Sequence, residues 1–320
     1  MSSALVTGAT GFLGSQLCRE LTDDGWSVTA LRRHSSDVRR LQQLDLSIAT
    51  ADILDAEAVR SSVAGTDYVF HLAGLGLLDA TPKRVLHVNV EGTRNVLDAC
   101  TACDVERVLF TSTAGTRRRE NALATETDFA EPVGAYQTSK ARAEVLVDEY
   151  VASGGDAVTV HPTSAFGPGD ERFTARLLTL ATNPKMVAYL PGGASIVSVR
   201  DIARGHVAAM TGGTRGGHYI LGGENLSYET ALEILAHLSD GTAPSVCLPP
   251  SLVHLAGRVI GPMNDVLGTR LFPGSFEMAK LTTRKLFYSS VKAERDFGYD
   301  FRPFREHSPE AIEWYLGAHG

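Results

Sequence analysis

The stretch Thr7-Gly-Ala-Thr-Gly-Phe-Leu-Gly14 decides the fold of this chain. It follows a short apolar segment, Ala4–Thr7, and opens a segment whose apolar residues recur at helical spacing up to Asp23. Glycines between a strand and a helix let the backbone approach a phosphate closely, where the first amides of the helix meet it. The spacing is GxxGxxG rather than GxGxxG, so the strand–turn–helix context is what predicts a dinucleotide-binding loop.

Short apolar segments alternate with helical segments through the first half of the chain, which is the pattern of βαβ units and a parallel sheet. The predicted strands are Ala4–Thr7, Ser27–Leu31, Ser47–Ala51, Tyr68–Leu72, Val108–Thr111 and Val158–His161. Past Pro162 the pattern loosens into pieces bounded by Gly and Pro, with one more strand at His218–Leu221 and a helix at Tyr228–His237.

These elements predict an α/β fold, a Rossmann-type doubly wound parallel sheet with a smaller, interleaved C-terminal lobe. Residues 1–161 form the predicted NAD(P)-binding domain and residues 162–320 the predicted substrate-binding lobe. Residues 195–221 are expected to return to the large sheet, so the two parts interleave rather than follow each other as separate domains.

Composition narrows the class of protein. The 320 residues are 43% hydrophobic and 21% charged with a net charge of −7, which is globular composition without the basic field that nucleic acids or anionic membranes attract. No apolar run reaches the ~20 residues of a membrane span, and the first residues lack the basic start of a signal peptide. We therefore expect a cytoplasmic protein whose partner is a small molecule, not nucleic acid or a membrane.

The four cysteines are too few for a disulfide framework in a chain of this length. Cys100 and Cys103 form a CxxC, but no second CxxC or close His pair completes a metal ligand set. Both fall in a helical segment, so we interpret them as core residues and predict no metal site.

The residues after the second predicted strand bear on cofactor choice. An acidic residue there would bind the ribose of NAD, but this chain has Arg32 and Arg33, which suit a 2′-phosphate. NADP is therefore the favoured cofactor, and NAD is the alternative. The two arginines could also form a solvated basic turn without a role in binding. Asp52, after the third strand, is placed to accept from the adenine amino group or to cap a helix.

Tyr136 and Lys140 stand four residues apart at the start of a predicted helix, so their side chains share one face. An ammonium beside a phenol lowers a pKa that starts at about 10, which suits a group that gives and takes a proton. Tyr288 and Lys292 repeat the spacing. Only the first pair follows a strand that ends in hydroxyl residues, so we predict that Tyr136 and Lys140 are the catalytic pair.

Together these motifs resemble the extended short-chain dehydrogenases/reductases of the epimerase/dehydratase superfamily, nearly from end to end. Thr113, Tyr136 and Lys140 match the family's Ser/Thr-Tyr-Lys triad, with Ser112 one position early. The resemblance implies that Thr113 holds the substrate oxygen.

The same resemblance implies which segments line the cofactor. They are the nucleotide loop, the segment His71–Gly74, the helix that contains Asn89 and the loop His161–Gly169, which resembles the one that touches the nicotinamide carboxamide. The implied cofactor-binding residues are Gly8, Thr10, Gly11, Phe12, Leu13, Gly14, Arg32, Arg33, Asp52, Ile53, Leu72, Ala73, Gly74, Asn89, Tyr136, Lys140, Pro162 and Ser164.

Departures from the family pattern bear on the reaction. Sugar-nucleotide enzymes of the family usually have Asn where this chain has Ser164, and dehydratases carry Asp-Glu where Ala114-Gly115 follows Thr113. Apart from these departures, the chain is similar to the branch of the family that contains dihydroflavonol-reductase-like and 3β-hydroxysteroid-dehydrogenase-like members. Homodimerisation through the Tyr136 helix and its neighbour is common in the family.

The sequence therefore predicts an NADP(H)-dependent oxidoreductase that acts on a ketone, an aldehyde or the corresponding alcohol. The alternatives are an NAD-dependent nucleotide-sugar epimerase with the same triad and a non-catalytic NADPH-sensing regulator. Arg117, Arg118 and Arg119 form either a solvated loop, which is the favoured interpretation, or a grip for an anionic substrate. The histidines His71, His87, His161 and His206 lack ligand spacing, so structural roles are expected for them.

Overall fold

The computed structural model describes residues 2–76, 79–267 and 276–319. The strands of these residues are β1 (Ser3–Thr7), β2 (Ser27–Arg32), β3 (Ser47–Thr50), β4 (Tyr68–His71), β5 (Arg107–Thr111), β6 (Ala157–Pro162), β7 (Ser164–Phe166), β8 (Ala188–Tyr189), β9 (Gly193–Ser198), β10 (His218–Leu221), β11 (Glu224–Ser227), β12 (Val246–Cys247) and β13 (Lys285–Leu286). The helices are α1 (Phe12–Asp23), α2 (Ala56–Val63), α3 (Pro82–Ala102), α4 (Gly134–Ala152), α5 (Phe173–Thr182), α6 (Val199–Gly212), α7 (Tyr228–Leu238), α8 (Pro250–Leu267), α9 (Phe276–Thr282), α10 (Val291–Phe297) and α11 (Phe304–His319).

The large sheet has seven strands in the order β10-β6-β5-β4-β1-β2-β3, and every neighbouring pair is parallel. The chain moves outward from β1 in one direction through β2 and β3, and then in the other through β4, β5 and β6. This confirms the predicted doubly wound parallel sheet. Because all the strands run the same way, their carboxyl ends meet at one edge, which is where ligands bind in such sheets.

Both faces of the sheet are covered, because successive residues of a strand point to opposite sides. Ala4 and Val6 of β1 lie in a buried cluster with α1 and α6. Leu5 faces the other way, into a cluster with α2, α3 and α4. The second cluster holds α4 against β5, so side chains from the start of α4 can meet those that follow the end of β5.

A second, four-stranded sheet is built from β7, β9, β11 and β13. It packs with α5, α7 and α11 in a buried cluster of its own, around Phe166, Leu178, Leu232 and Phe304. The chain crosses between the two sheets: β9 belongs to the small sheet, whereas α6 packs on α1 and β10 pairs with β6. Of residues 195–221, therefore, His218–Leu221 join the large sheet as a strand, and α6 packs against it. The division into two domains stays a prediction.

Each predicted strand is present, with ends that differ by one residue at most. The predicted helix Tyr228–His237 is α7, one residue longer. Among the described residues, no helix has the length and apolar character required to cross a membrane.

Candidate active site

A cavity of about 480 Å³ opens at the carboxyl ends of the large sheet's strands. All the predicted cofactor and catalytic residues line it except Asn89 and Ser164. The triad and the nucleotide loop therefore share one cavity, although up to 132 positions of sequence separate them, from Gly8 to Lys140.

The loop between β1 and α1 forms the floor of this cavity. Gly8 has φ +71°, and a Cβ there would lie 2.8 Å from the backbone nitrogen of Ala73. A Cβ at Gly14 would lie 2.2 Å from the carbonyl oxygen of Gly8. Helix α1 begins without a side-chain cap, so its first amides are available to an anion in the cavity.

The turn after β2 is basic and folds back on itself. The backbone nitrogen of Arg33 donates to Ser36 Oγ at 3.1 Å, which brings the Ser36 hydroxyl onto the cavity wall beside Arg32 and Arg33. The Nε atom of Arg32 is buried and has no hydrogen-bond partner among the described residues. Asp52 also lines the cavity, and its Oδ1 accepts from the backbone nitrogen of Leu54 at 3.0 Å, while Asp55 caps α2 instead.

Thr113, Tyr136 and Lys140 lie together on the cavity wall. Thr113 follows β5, and its Oγ1 accepts from the backbone nitrogen of Gly115 at 3.2 Å. Tyr136 and Lys140 come from the first two turns of α4. Lys140 Nζ donates to the carbonyl oxygen of Thr111 at 2.7 Å and lies 5.0 Å from the centre of the Phe110 ring. The lysine is therefore held against the end of the strand that presents Thr113.

Burial is the main influence on the pKa values of Lys140 and Tyr136. Desolvation lowers the pKa of Lys140 to about 8, although the charge of Glu144 acts in the opposite direction. Desolvation raises the pKa of Tyr136, and its interaction with the Thr113 hydroxyl partly opposes that. At neutral pH the phenol therefore carries its proton and the lysine is positively charged.

Two residues predicted to bind the cofactor do not line the cavity. Asn89 Oδ1 accepts from the Leu75 backbone nitrogen at 2.7 Å, and its Nδ2 donates to Ser139 Oγ at 2.8 Å. The Asn89 amide therefore holds Leu75, a residue of the cavity wall, without lining the cavity itself. Ser164 lies in β7, paired with Ile196 of the small sheet.

Several residues on the cavity wall were not predicted from the sequence. Thr163 stands there in place of Ser164, and its Oγ1 is a buried atom without a partner among the described residues. Arg84 and Arg172 line it as well, and Arg172 pairs with Asp79. Thr163 follows Pro162 directly, so the end of β6 was a usable signal; no local signal marks either arginine.

The remaining sequence candidates take structural positions. Tyr288 is buried in a small cluster with Ala114 and Ile220, and Lys292 Nζ donates to the carbonyl oxygen of His218 at 2.8 Å. Cys100 is buried in the core as expected. His71 bridges Thr7 and Thr93, at 2.7 and 2.9 Å.

The arginine run also differs from its favoured interpretation. Arg119 is exposed and Arg118 is partly buried, but the side chain of Arg117 is only 1% exposed. The solvated loop predicted for the whole run is therefore wrong at Arg117, because its guanidinium pairs with the carboxylate of Glu144.

Comparison with known proteins places this arrangement in a family. Residues 4–222 match the family described as the NAD dependent epimerase/dehydratase family. The chain belongs to this family. Its fold and its resemblance to extended short-chain dehydrogenases/reductases are thereby confirmed, and it is an NAD(P)-binding enzyme of that superfamily.

Individual relatives match nearly the whole chain. It is 31% identical to a putative dihydroflavonol 4-reductase of Synechocystis sp., over 97% of this chain and 93% of that protein. It is 29% identical to sterol demethylase protein B of Methylococcus capsulatus, over 98% of each. The crystal structure of gox2253 superposes with a TM-score of 0.88 at 31% identity, covering 100% of this chain and 99% of that one.

Proposed function

We propose that this family member is an NADP(H)-dependent oxidoreductase that reduces a ketone or aldehyde, or oxidises the corresponding alcohol. The observation that carries the proposal is the convergence of Thr113, Tyr136 and Lys140 on the same cavity as the glycine loop. Relatives named as reductases support the direction, including the dihydroflavonol reductase named above.

The residues present fit NADP(H). The uncapped start of α1 and the close approach of Gly8 to Ala73 suit a pyrophosphate. Arg32 Nε is a buried donor without a partner among the described residues, and Arg33 and Ser36 lie beside it on the wall. Two guanidinium groups and a hydroxyl are suited to a 2′-phosphate. Thr163, which lines the same cavity as the triad, supplies a second buried atom, Oγ1, without a partner among the described residues.

When bound, NADPH supplies the hydride. The chain's own residues handle the proton and the substrate oxygen. Tyr136 donates its phenolic proton to that oxygen, and the Thr113 hydroxyl holds the oxygen in place. The positive charge of Lys140, one helical turn from Tyr136, stabilises the phenolate that remains.

The raised pKa of Tyr136 suits the reductive direction at neutral pH, because a general acid must carry its proton at the start of the step. Alcohol oxidation needs the phenolate instead. We therefore expect oxidation to gain relative to reduction as the pH rises.

The proposal is tested by following the reduced-nicotinamide absorbance with a panel of carbonyl compounds and nucleotide sugars. Net loss of NADPH with a carbonyl substrate is the expected result. Conversion of a nucleotide sugar at constant absorbance, with NAD co-purifying, would identify an epimerase instead. NADPH binding without turnover of any compound in the panel would favour a sensor.

A further inference from the structure

A buried ion pair lies behind the triad. Glu144 and Arg117 have side chains that are 6% and 1% exposed, and Arg117 Nη2 lies 2.9 Å from Glu144 Oε2. Burying two charges is costly unless further hydrogen bonds satisfy them. The pair has such bonds: Arg117 Nε donates to the carbonyl oxygen of Glu126 at 2.7 Å, and its Nη1 to Thr116 Oγ1 at 2.8 Å.

The other carboxylate oxygen of Glu144 faces the strand end that carries Thr113. Oε1 accepts a hydrogen bond from Ser112 Oγ and lies 3.0 Å from Thr116 Oγ1. The Thr116 hydroxyl is in turn 2.9 Å from the carbonyl oxygen of Thr113. The residues on both sides of Thr113 are therefore tied to one carboxylate.

Glu144 also belongs to the helix face that carries the other two triad members. Tyr136, Lys140 and Glu144 follow each other at intervals of four residues along α4, so their side chains line one side of the helix. Lys140 and Glu144 are both about 5% exposed. In such surroundings a neighbouring charge acts strongly, because little water screens it.

We propose that Glu144 is a positioning residue for the proposed reaction: its buried carboxylate, held by Arg117, fixes the Thr113 strand end against α4 and supplies the negative charge that keeps Lys140 positive. The inference rests on the proposed function and adds to it a residue outside the triad.

Among the ionisable groups around Lys140, Glu144 is the one whose charge acts on the Lys140 pKa. On β4, burial lowers the pKa of His71 to about 3, so the ring is neutral. On β6, burial and then the charge of Arg117 hold the pKa of His161 well below its usual value. Tyr136 precedes Lys140 on the helix and carries its proton at neutral pH.

The side of Glu144 away from Lys140 is closed by Arg117 and two histidines. Ligand atoms of Glu144, His161 and His218 lie within 4.8 Å of one another, an arrangement that could hold a metal ion. Arg117 Nη2, however, is 2.9 Å from the carboxylate and 3.4 Å from His218 Nδ1. The guanidinium therefore supplies the positive charge at this position.

The test is Glu144→Gln, which removes the charge and nearly keeps the shape. The Lys140 pKa is read by NMR with ¹³C-labelled lysine; the chain has six lysines, and the Lys140 signal is assigned by its absence in Lys140→Gln. We expect this pKa to fall by about one unit. The high-pH limb of kcat/KM should move by the same amount, and kcat should fall about tenfold with the NADPH Kd unchanged.

Glu149→Gln is the matched control. It removes the same charge from the same helix at an exposed position, where water screens it. The Lys140 pKa should then stay within about 0.2 units of wild type.

Glu144→Gln leaves Arg117 buried without its anion, which can unfold the protein. The double variant Arg117→Gln/Glu144→Gln removes both charges and is the second arm, with the Lys140 pKa again expected to fall. An unchanged Lys140 pKa in a folded variant of either kind would overturn the proposal. The proposed function fails separately: turnover that does not require Tyr136, or no net loss of NADPH with any carbonyl compound, would refute it whatever the Lys140 pKa.

Discussion

At the scale of single residues, Arg32 is expected to set the choice between NADPH and NADH. Arg32 lines the cavity, and its buried Nε atom has no hydrogen-bond partner within the described part of the chain; a charge-assisted hydrogen bond contributes about 1.5–3 kcal/mol. Arg32→Ala should therefore weaken NADPH binding by about tenfold or more, and NADH binding by less than about twofold, in a fluorescence titration.

Arg39→Ala is the control for this prediction. Arg39 is exposed, pairs with Asp37 and does not line the cavity, so its loss should leave both affinities unchanged. Equal affinities for NADPH and NADH in the native protein would refute the role given to Arg32.

Residues whose role depends on local context were predictable, and those that depend on a distant partner were not. Tyr136 and Lys140 share a helix, and Gly8 to Gly14 join a strand to a helix, so their sequence spacing predicts their place in the cavity. Arg117 gives no local sign of burial, because its anion, Glu144, comes 27 positions later on another element. Thr163 was missed by one position, because the strand break after Pro162 sets which side chain faces inward.

At the scale of elements, the β1–α1 loop depends on close backbone contact. A Cβ at Gly8 would meet the backbone of Ala73 at 2.8 Å, besides straining a φ of +71°. Gly8→Ala should therefore push β1 and the segment after β4 apart, lower the melting temperature by several degrees and weaken NADPH binding by at least about tenfold.

Gly25→Ala separates the two effects in this experiment. Gly25 has a similar φ of +77°, but a Cβ there meets nothing within 4 Å. Gly25→Ala should lower the free energy of unfolding by only about 1 kcal/mol and leave NADPH binding unchanged. Equal effects of the two substitutions on binding would show that contact with Ala73 does not shape the loop.

The elements of the large sheet were predictable because buried parallel strands are short apolar runs with turn residues between them. Strand β9 was not, because it is recognised by its pairing: it joins β7, β11 and β13, which come from distant parts of the chain. Sequence periodicity reports which face is buried but not which strand lies alongside.

At the scale of the whole molecule, buried histidines should make stability depend on pH. Burial lowers the pKa of His71 to about 3 and of His206 and His307 to about 4, and holds that of His161 well below 6.5. In the unfolded chain each titrates at about 6.5. Below that pH the unfolded state binds protons that the folded state does not, so the free energy of unfolding falls as the pH falls.

At pH 5 His71, His206 and His307 should each lower the free energy of unfolding by about 2 kcal/mol, or about 6 kcal/mol together, and His161 acts in the same direction. That is comparable with the entire stability of a typical domain, so we expect the protein to unfold near pH 5. Denaturant unfolding between pH 7.5 and 5 measures this. A free energy of unfolding that stays constant over this range would contradict it.

His307→Leu isolates one of the four. Neither ring nitrogen of His307 has a hydrogen-bond partner among the described residues, and the ring lies against Phe166 and Phe304. An apolar side chain suits that site, and the loss of stability between pH 7 and 5 should shrink by about 2 kcal/mol. His237→Gln, at an exposed position, should leave the pH dependence unchanged.

The central claim is that Tyr136 supplies the proton in a hydride-transfer reaction at this cavity, and Tyr136→Phe tests it most directly. The substitution keeps the ring and removes only the phenolic hydroxyl. With a carbonyl substrate found by the absorbance assay, kcat should fall by at least about a hundredfold, while the NADPH Kd stays within about twofold of wild type. Turnover close to that of wild type, with NADPH still bound, would contradict the account.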